Sequence, residues 1–118
     1  MRTNLLFILV FFLVSQVYAQ QETKEAVFIN YQKVLMKNLK YPSRAIDENL
    51  QGTCKISFKV YKDGKIDNFK IISGVVNCPE CDEEAIRVLK LMKKWKPAEF
   101  EGNPIESEKI VSINFKID

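Results

Sequence analysis

Histidine is absent from all 118 residues. The chain therefore lacks both the commonest general base and the commonest metal ligand, which leaves acid–base catalysis and zinc chemistry without their usual side chain. An excess of one charge is also missing, since 18 Lys and Arg stand against 15 Asp and Glu, a net of +3. No basic stripe is interleaved with exposed aromatics, so nucleic acid is excluded as a partner. Only four prolines occur, and nowhere do they gather into a Pro-rich arm. The longest apolar run, Leu5 to Val14, is about half of the roughly 20 residues that cross a bilayer. No internal repeat or low-complexity stretch is present.

That apolar run follows Arg2 and leads to Val17-Tyr18-Ala19. A positive start, a short apolar stretch and small residues at its end make a secretory signal peptide, with cleavage expected after Ala19. An inner-membrane anchor left uncleaved is the alternative. No cysteine directly follows Ala19, so a lipid anchor is not indicated. The expected location is the periplasm, and the expected division is signal peptide 1–19, N-terminal helical extension 20–40 and folded domain 41–118. At 47% hydrophobic and 28% charged over the full chain, the part beyond the signal peptide reads as one small globular domain.

The strongest pattern lies in Gly52 to Gly74. Cys54, Ile56, Phe58 and Val60 alternate with Lys55, Ser57, Lys59 and Tyr61, the period of a strand with one buried face. Asp63-Gly64 supplies two residues that tolerate positive φ, predicting a two-residue hairpin turn. That register sets Phe58 opposite Phe69, Ile56 opposite Ile71 and Cys54 opposite Ser73. A lone hairpin is marginal in water, so other segments must cover its apolar face.

Val27, Phe28, Tyr31, Val34, Leu35 and Leu39 recur at helical steps, predicting an amphipathic helix over Lys24 to Lys40. Tyr41-Pro42 breaks it, and Pro42 opens a short second helix buried through Ala45, Ile46 and Leu50, with Gly52 just beyond its end. Glu80, Asp82, Glu83 and Glu84 begin a third helix and Arg87, Lys90, Lys93, Lys94 and Lys96 close it, complementing the helix dipole. Its stripe of Ala85, Val88, Leu89, Met92 and Trp95 is the natural lid for the hairpin. Ala98 to Pro104 reads as a loop. Val111, Ile113, Phe115 and Ile117 alternate with polar residues in a third strand. The fold class is α+β: a two-layer sandwich of a three-stranded antiparallel sheet packed on helices, in the order helix, helix, strand, strand, helix, strand.

Three cysteines remain. Cys78-Pro79-Glu80-Cys81 heads a helix in an exported chain, which allows a secreted thiol-disulfide protein as an alternative function. A thioredoxin-like motif, however, follows the first strand of a βαβ unit, and here the motif follows an antiparallel hairpin. The favoured reading is a structural disulfide from Cys54 to either Cys78 or Cys81, leaving one thiol free. A reduced trio and a metal site short of a fourth ligand are the other readings.

Tyr41-Pro42-Ser43-Arg44-Ala45, Phe58-Lys59-Val60, Asp63-Gly64-Lys65-Ile66-Asp67-Asn68, Ile71-Ile72-Ser73, Glu84-Ala85, Trp95-Lys96-Pro97, Gly102-Asn103-Pro104-Ile105 and Ile113-Asn114-Phe115-Lys116-Ile117 stand in that order. Each is weak alone. As an ordered set from about Tyr41 to Asp118 they resemble the C-terminal domain of TonB, the energy transducer of Gram-negative outer-membrane import, and the helical extension is similar to versions from Bacteroidetes. The resemblance implies a binding module with no catalytic residue, cofactor or metal. It implies that the last strand, Ile110, Val111, Ser112, Ile113, Asn114, Phe115 and Lys116, accepts the TonB-box peptide of an outer-membrane receptor by strand addition. It also implies that Lys37, Asn38, Leu39 and Lys40 lie near that peptide. Pairing of two copies through the last strand is a further expected partner arrangement, a third reading being a structural or self-associating periplasmic domain. Without a Pro-rich arm, the chain is not expected to transduce energy by itself.

Overall fold

A computed structural model describes residues 22–118. The expected signal peptide lies outside the described residues. The elements run β1 (Thr23–Lys24), α1 (Tyr31–Asn38), α2 (Ser43–Asp47), β2 (Gly52–Val60), β3 (Ile66–Ser73), α3 (Pro79–Leu91), β4 (Ala98–Phe100), β5 (Asn103–Ile105) and β6 (Ser107–Phe115). The main sheet has the order β3-β2-β6, all antiparallel, with β2 in the centre. Its inner face carries Cys54, Ile56, Phe58, Val60, Ile113 and Phe115, each 2% exposed or less. The predicted stripe is buried against it, Ala85, Val88 and Leu89 on α3 and Met92 and Trp95 in the segment that follows, giving the two layers that period-two and period-3.6 patterns require of each other.

The hairpin turn is longer than its sequence predicts. Tyr61 pairs with Lys65: its N–H donates to the Lys65 carbonyl at 2.9 Å, and its own carbonyl accepts from the Gly64 N–H at 2.9 Å. Three residues, Lys62-Asp63-Gly64, therefore close the turn, with Gly64 in the left-handed region at φ 86°, a tight turn capped by a glycine bulge. The one-residue offset is cancelled at Asn68, itself left-handed at φ 58°, where the β2–β3 register slips between Lys59↔Asp67 and Ser57↔Lys70. Ile56 and Ile71 thus meet as predicted, and the Phe58 and Phe69 rings lie 5.5 Å apart. A second slip sets Ser73 opposite Lys55 rather than Cys54.

Gly64 has a further task. A Cβ there would stand 2.3 Å from the Trp95 carbonyl oxygen, and the Gly64 carbonyl accepts from the Trp95 N–H at 2.9 Å. Turn and core are joined at this point, because the Trp95 ring packs edge-on to Phe58 at 5.2 Å and tilted against Phe28 at 5.6 Å.

Three helical expectations change. The first helix begins only at Tyr31, because Asn30 is left-handed at φ 63° and an L residue in that state ends a right-handed helix. The short α2 ends with Asn49, not Gly52, in the left-handed conformation, and Ile46 is half exposed. The third helix stops at Leu91, ahead of a left-handed Lys94, rather than at Pro97. The two freed segments meet at the isolated bridge Val27↔Lys96. Residues before α1 pair with those after α3 in one constant register, Thr23↔Phe100, Lys24↔Glu99 and Val27↔Lys96. The expected loop Ala98 to Pro104 is the β4–β5 hairpin, turned by Glu101-Gly102 with φ of 52° and 80°. Pro104 fits because β5 is the edge of this second sheet, order β1-β4-β5, where a missing N–H costs no ladder bond.

Candidate functional site

The last strand is an edge. β6 pairs with β2 through nine consecutive residues in one unbroken register, from Gly52↔Phe115 to Val60↔Ser107, and among the described residues nothing pairs with its other side. Hydrogen-bond parity identifies the groups that are left over. Tyr61 turns its backbone toward β3, so Val60, and with it Phe58, Ile56, Cys54 and Gly52, turn toward β6. Their partners Ser107, Lys109, Val111, Ile113 and Phe115 use their backbone groups on β2. Glu108, Ile110, Ser112 and Asn114 therefore aim N–H and C=O outward, about 6.8 Å apart along the strand.

Side chains follow the same parity. Ile110, Ser112 and Asn114 are exposed, Val111 is half-buried, and Ile113 and Phe115 are buried. Lys116 is exposed just beyond the strand. Asn114 is steadied by the Thr53 hydroxyl, which donates to its Oδ1 at 2.6 Å. Ile110 is 51% exposed.

Lys37, Asn38, Leu39 and Lys40 reach the same end of the molecule. The Asn38 carbonyl accepts from Arg87 at 2.8 Å and the Lys40 N–H donates to Glu84 at 2.6 Å. Glu84 and Arg87 are themselves paired at 2.6 Å, and the Arg87 guanidinium holds the Glu84 carboxyl below its ordinary range. Next in sequence, Tyr41 sets its ring edge-on to Phe115 at 5.5 Å and its hydroxyl donates to the Leu50 carbonyl at 2.5 Å. The two predicted patches are thus joined through the Tyr41–Phe115 contact. A cleft of about 610 Å³ opens between Lys40–Ser43 and the Glu80, Glu83, Glu84 and Arg87 face of α3. Glu80, on that face, is held by Arg44, which is also hydrogen-bonded to Glu48 and the Asn77 carbonyl.

The cysteines differ from the favoured expectation. The disulfide joins Cys78 to Cys81, and Cys54 is the free thiol. Cys78 caps α3, its sulfur accepting from the Cys81 N–H at 3.2 Å. Burial pushes the Cys54 thiol up to about 12, and the Asp82 carboxylate adds to the shift. Asp82 also accepts from the Val75 N–H at 3.0 Å, tying the loop after β3 to the start of α3. All three sulfurs are inaccessible, with the cysteines 0% exposed, which suits a staple and not a thiol that must meet a partner. Among the described residues no group of three or more metal-binding side chains is placed to hold an ion, and no helix is long and apolar enough to cross a membrane.

The model of the family described as Gram-negative bacterial TonB protein C-terminal matches residues 37–117. Among solved structures, the chain is similar to the NMR solution structure of the Helicobacter pylori TonB C-terminal domain, with 16% identity, a TM-score of 0.48, and coverage of 74% of this chain and 78% of that one. None of the curated proteins matches.

Proposed function

The chain belongs to the family of Gram-negative bacterial TonB C-terminal domains, and from that premise we propose that it is a non-catalytic periplasmic module that takes up peptides of outer-membrane receptors by strand addition on β6. The observation that carries this reading is the nine-residue edge of β6, regular throughout and unpaired on one side among the described residues. Such an edge offers a row of backbone donors and acceptors that another strand can complete. The outward side chains Ile110, Ser112 and Asn114 then select among peptides, while Val111, Ile113 and Phe115 keep the strand seated on the core. Lys37 to Lys40 flank the far end of the edge across the Tyr41–Phe115 contact. The module binds as a soluble competitor or adaptor for receptor peptides, exported by the signal peptide at 1–19.

Titration of the mature chain with a TonB-box peptide is expected to shift the amide resonances of Val111 to Ile117. Ser112→Pro removes an outward donor without touching the β2 ladder, and is expected to weaken binding by about tenfold, the loss of a bond plus a steric obstruction. Silence across Val111 to Ile117 on adding the peptide refutes the reading.

A further inference from the structure

Charge is divided unevenly between two parts of the molecule. Residues 30–40, which include α1, and residues 86–96, the second half of α3 and the segment after it, carry eight Lys and Arg and no Asp or Glu. The rest of the described chain holds nine bases against all fifteen acids. All eight bases of the two segments are exposed. Arg87 is paired with Glu84, but among the described residues none of the seven lysines belongs to an ion pair. The two segments lie side by side. Here α1 runs antiparallel to α3, with the Asn38 carbonyl on Arg87 at one end and the Tyr31 ring against Trp95 at the other.

The helix dipole accounts for only part of this pattern. It favours Lys37 and Lys90, in the last turns of α1 and α3. It opposes Lys33, which stands in the first turn of α1 with no acid beside it. Lys33 and Lys37 are also four residues apart on one helix, a like-charged spacing that weakens it. The face bears these costs with no acid of its own to relieve them, so negative charge from outside stabilises it. Apolar side chains stand among the bases. Met36, 79% exposed, lies one turn from Lys33 and beside Lys37, and Leu91, 48% exposed, lies one turn from Arg87 and beside Lys90. The antiparallel packing sets Met36 and Leu91 within about one turn of each other along the helix pair.

We infer that this face of the helical layer rests on an anionic phospholipid bilayer, the lysines reaching headgroup phosphates and Met36 and Leu91 entering the interface between them. The residue types decide among anionic partners. Seven of the eight bases are lysine, a flexible point charge that suits a diffuse negative surface, whereas a carboxylate or phosphate held in a fixed site is better gripped by the planar fork of arginine. Lysine is also depleted at protein–protein interfaces, which are anchored by Tyr, Trp and Arg. The exposed apolar side chains of the face are aliphatic, which gives nucleobases nothing to stack on. The face belongs to the helical layer and the β6 edge to the sheet, so this contact is separate from the peptide uptake proposed above and neither depends on the other.

Cosedimentation of the mature chain with lipid vesicles tests the contact. Binding is expected to phosphatidylcholine vesicles that contain phosphatidylglycerol and not to phosphatidylcholine alone, and to fall as salt is raised. Lys33→Gln combined with Lys93→Gln is expected to weaken binding about twentyfold, roughly fivefold for each lysine near a charged surface. Lys55→Gln combined with Lys70→Gln, two exposed lysines of the sheet, lowers net charge by the same amount and is expected to leave binding nearly unchanged. Met36→Gln keeps the charge and is expected to weaken binding about threefold through the lost apolar contact. No binding to the anionic vesicles at low salt refutes the bilayer contact. Equal losses in the two lysine pairs refute it as well, since net charge and not this face would then decide binding. Binding to poly-glutamate but not to vesicles overturns the lipid in favour of an acidic polypeptide. A dimer in sedimentation that requires Lys33 and Lys93, with no vesicle binding, overturns it in favour of the acidic part of a second copy. The vesicle comparison needs no variant, so it decides even if a substituted chain fails to fold.

Discussion

The main sheet has two free edges among the described residues, and they are built differently. β6 keeps one register against β2 for nine residues. β3 slips twice in eight residues, and one slip rests on a left-handed Asn68. Both edges carry exposed apolar side chains: Ile110 on β6, Ile71 and Ile72 on β3. Bulges twist an edge away from a flat pairing geometry and are a known means of keeping it from recruiting another chain. The chain thus blunts the edge next to its hairpin and leaves the other straight. A protein under pressure only to stay soluble has reason to blunt both, and the difference marks β6 as the edge with a partner.

The largest expected effect concerns the turn that makes β3 irregular. Gly64→Ala places a Cβ 2.3 Å from the Trp95 carbonyl oxygen at a φ of 86°, and is expected to cost about 3 kcal/mol of stability in denaturant unfolding. A loss under 1 kcal/mol would show that the hairpin and Trp95 can separate freely. Deleting Asn68 sharpens the comparison next. It removes the first of the two slips, extends one register from Val60 to Ile56, and is expected to raise self-association in sedimentation above that of the unaltered chain. An unchanged mass would mean the bulge is not what protects that edge. Chemical reactivity gives an intermediate effect: Cys54, buried and pushed up to about 12, is expected to resist thiol reagents at pH 8 until the chain unfolds.

The smallest expected effect is on pH dependence. Arg44 holds the Glu80 carboxyl down to about 2, from an ordinary 4.5. A depressed carboxylate stabilises the fold fully above its unfolded value, and that contribution is lost as pH falls through the folded one. Tm is therefore expected to decline between pH 4.5 and about 2, and Arg44→Ala to flatten that part of the curve. The change is small because the pair is exposed.

Much of the fold was legible because burial enforces period. The alternation in β2 and β6 and the stripe on α3 each face a core that tolerates no other register. The second sheet was not legible, for local reasons. Its strands are two or three residues long, too short to show alternation, and Val27 and Phe28 happen to fall on the helical period of α1. Asn30 is the residue that stops the helix, but its left-handed state is a property of the folded backbone. Glu101-Gly102 turns the β4–β5 hairpin although Glu is no usual left-handed residue, whereas Asp63-Gly64, with the stronger signal, serves a three-residue turn. As for the site, which strand lies at an edge depends on sheet order, and the alternation of β6 alone does not fix it. The resemblance to TonB placed the edge there.

The most direct test of the central claim is residue-resolved amide exchange along β6 on adding a TonB-box peptide. The account predicts that Glu108, Ile110, Ser112 and Asn114 become protected, while Lys109, Val111 and Ile113, already bonded to β2, change little. Protection without that alternation, or protection of β3 in place of β6, contradicts it.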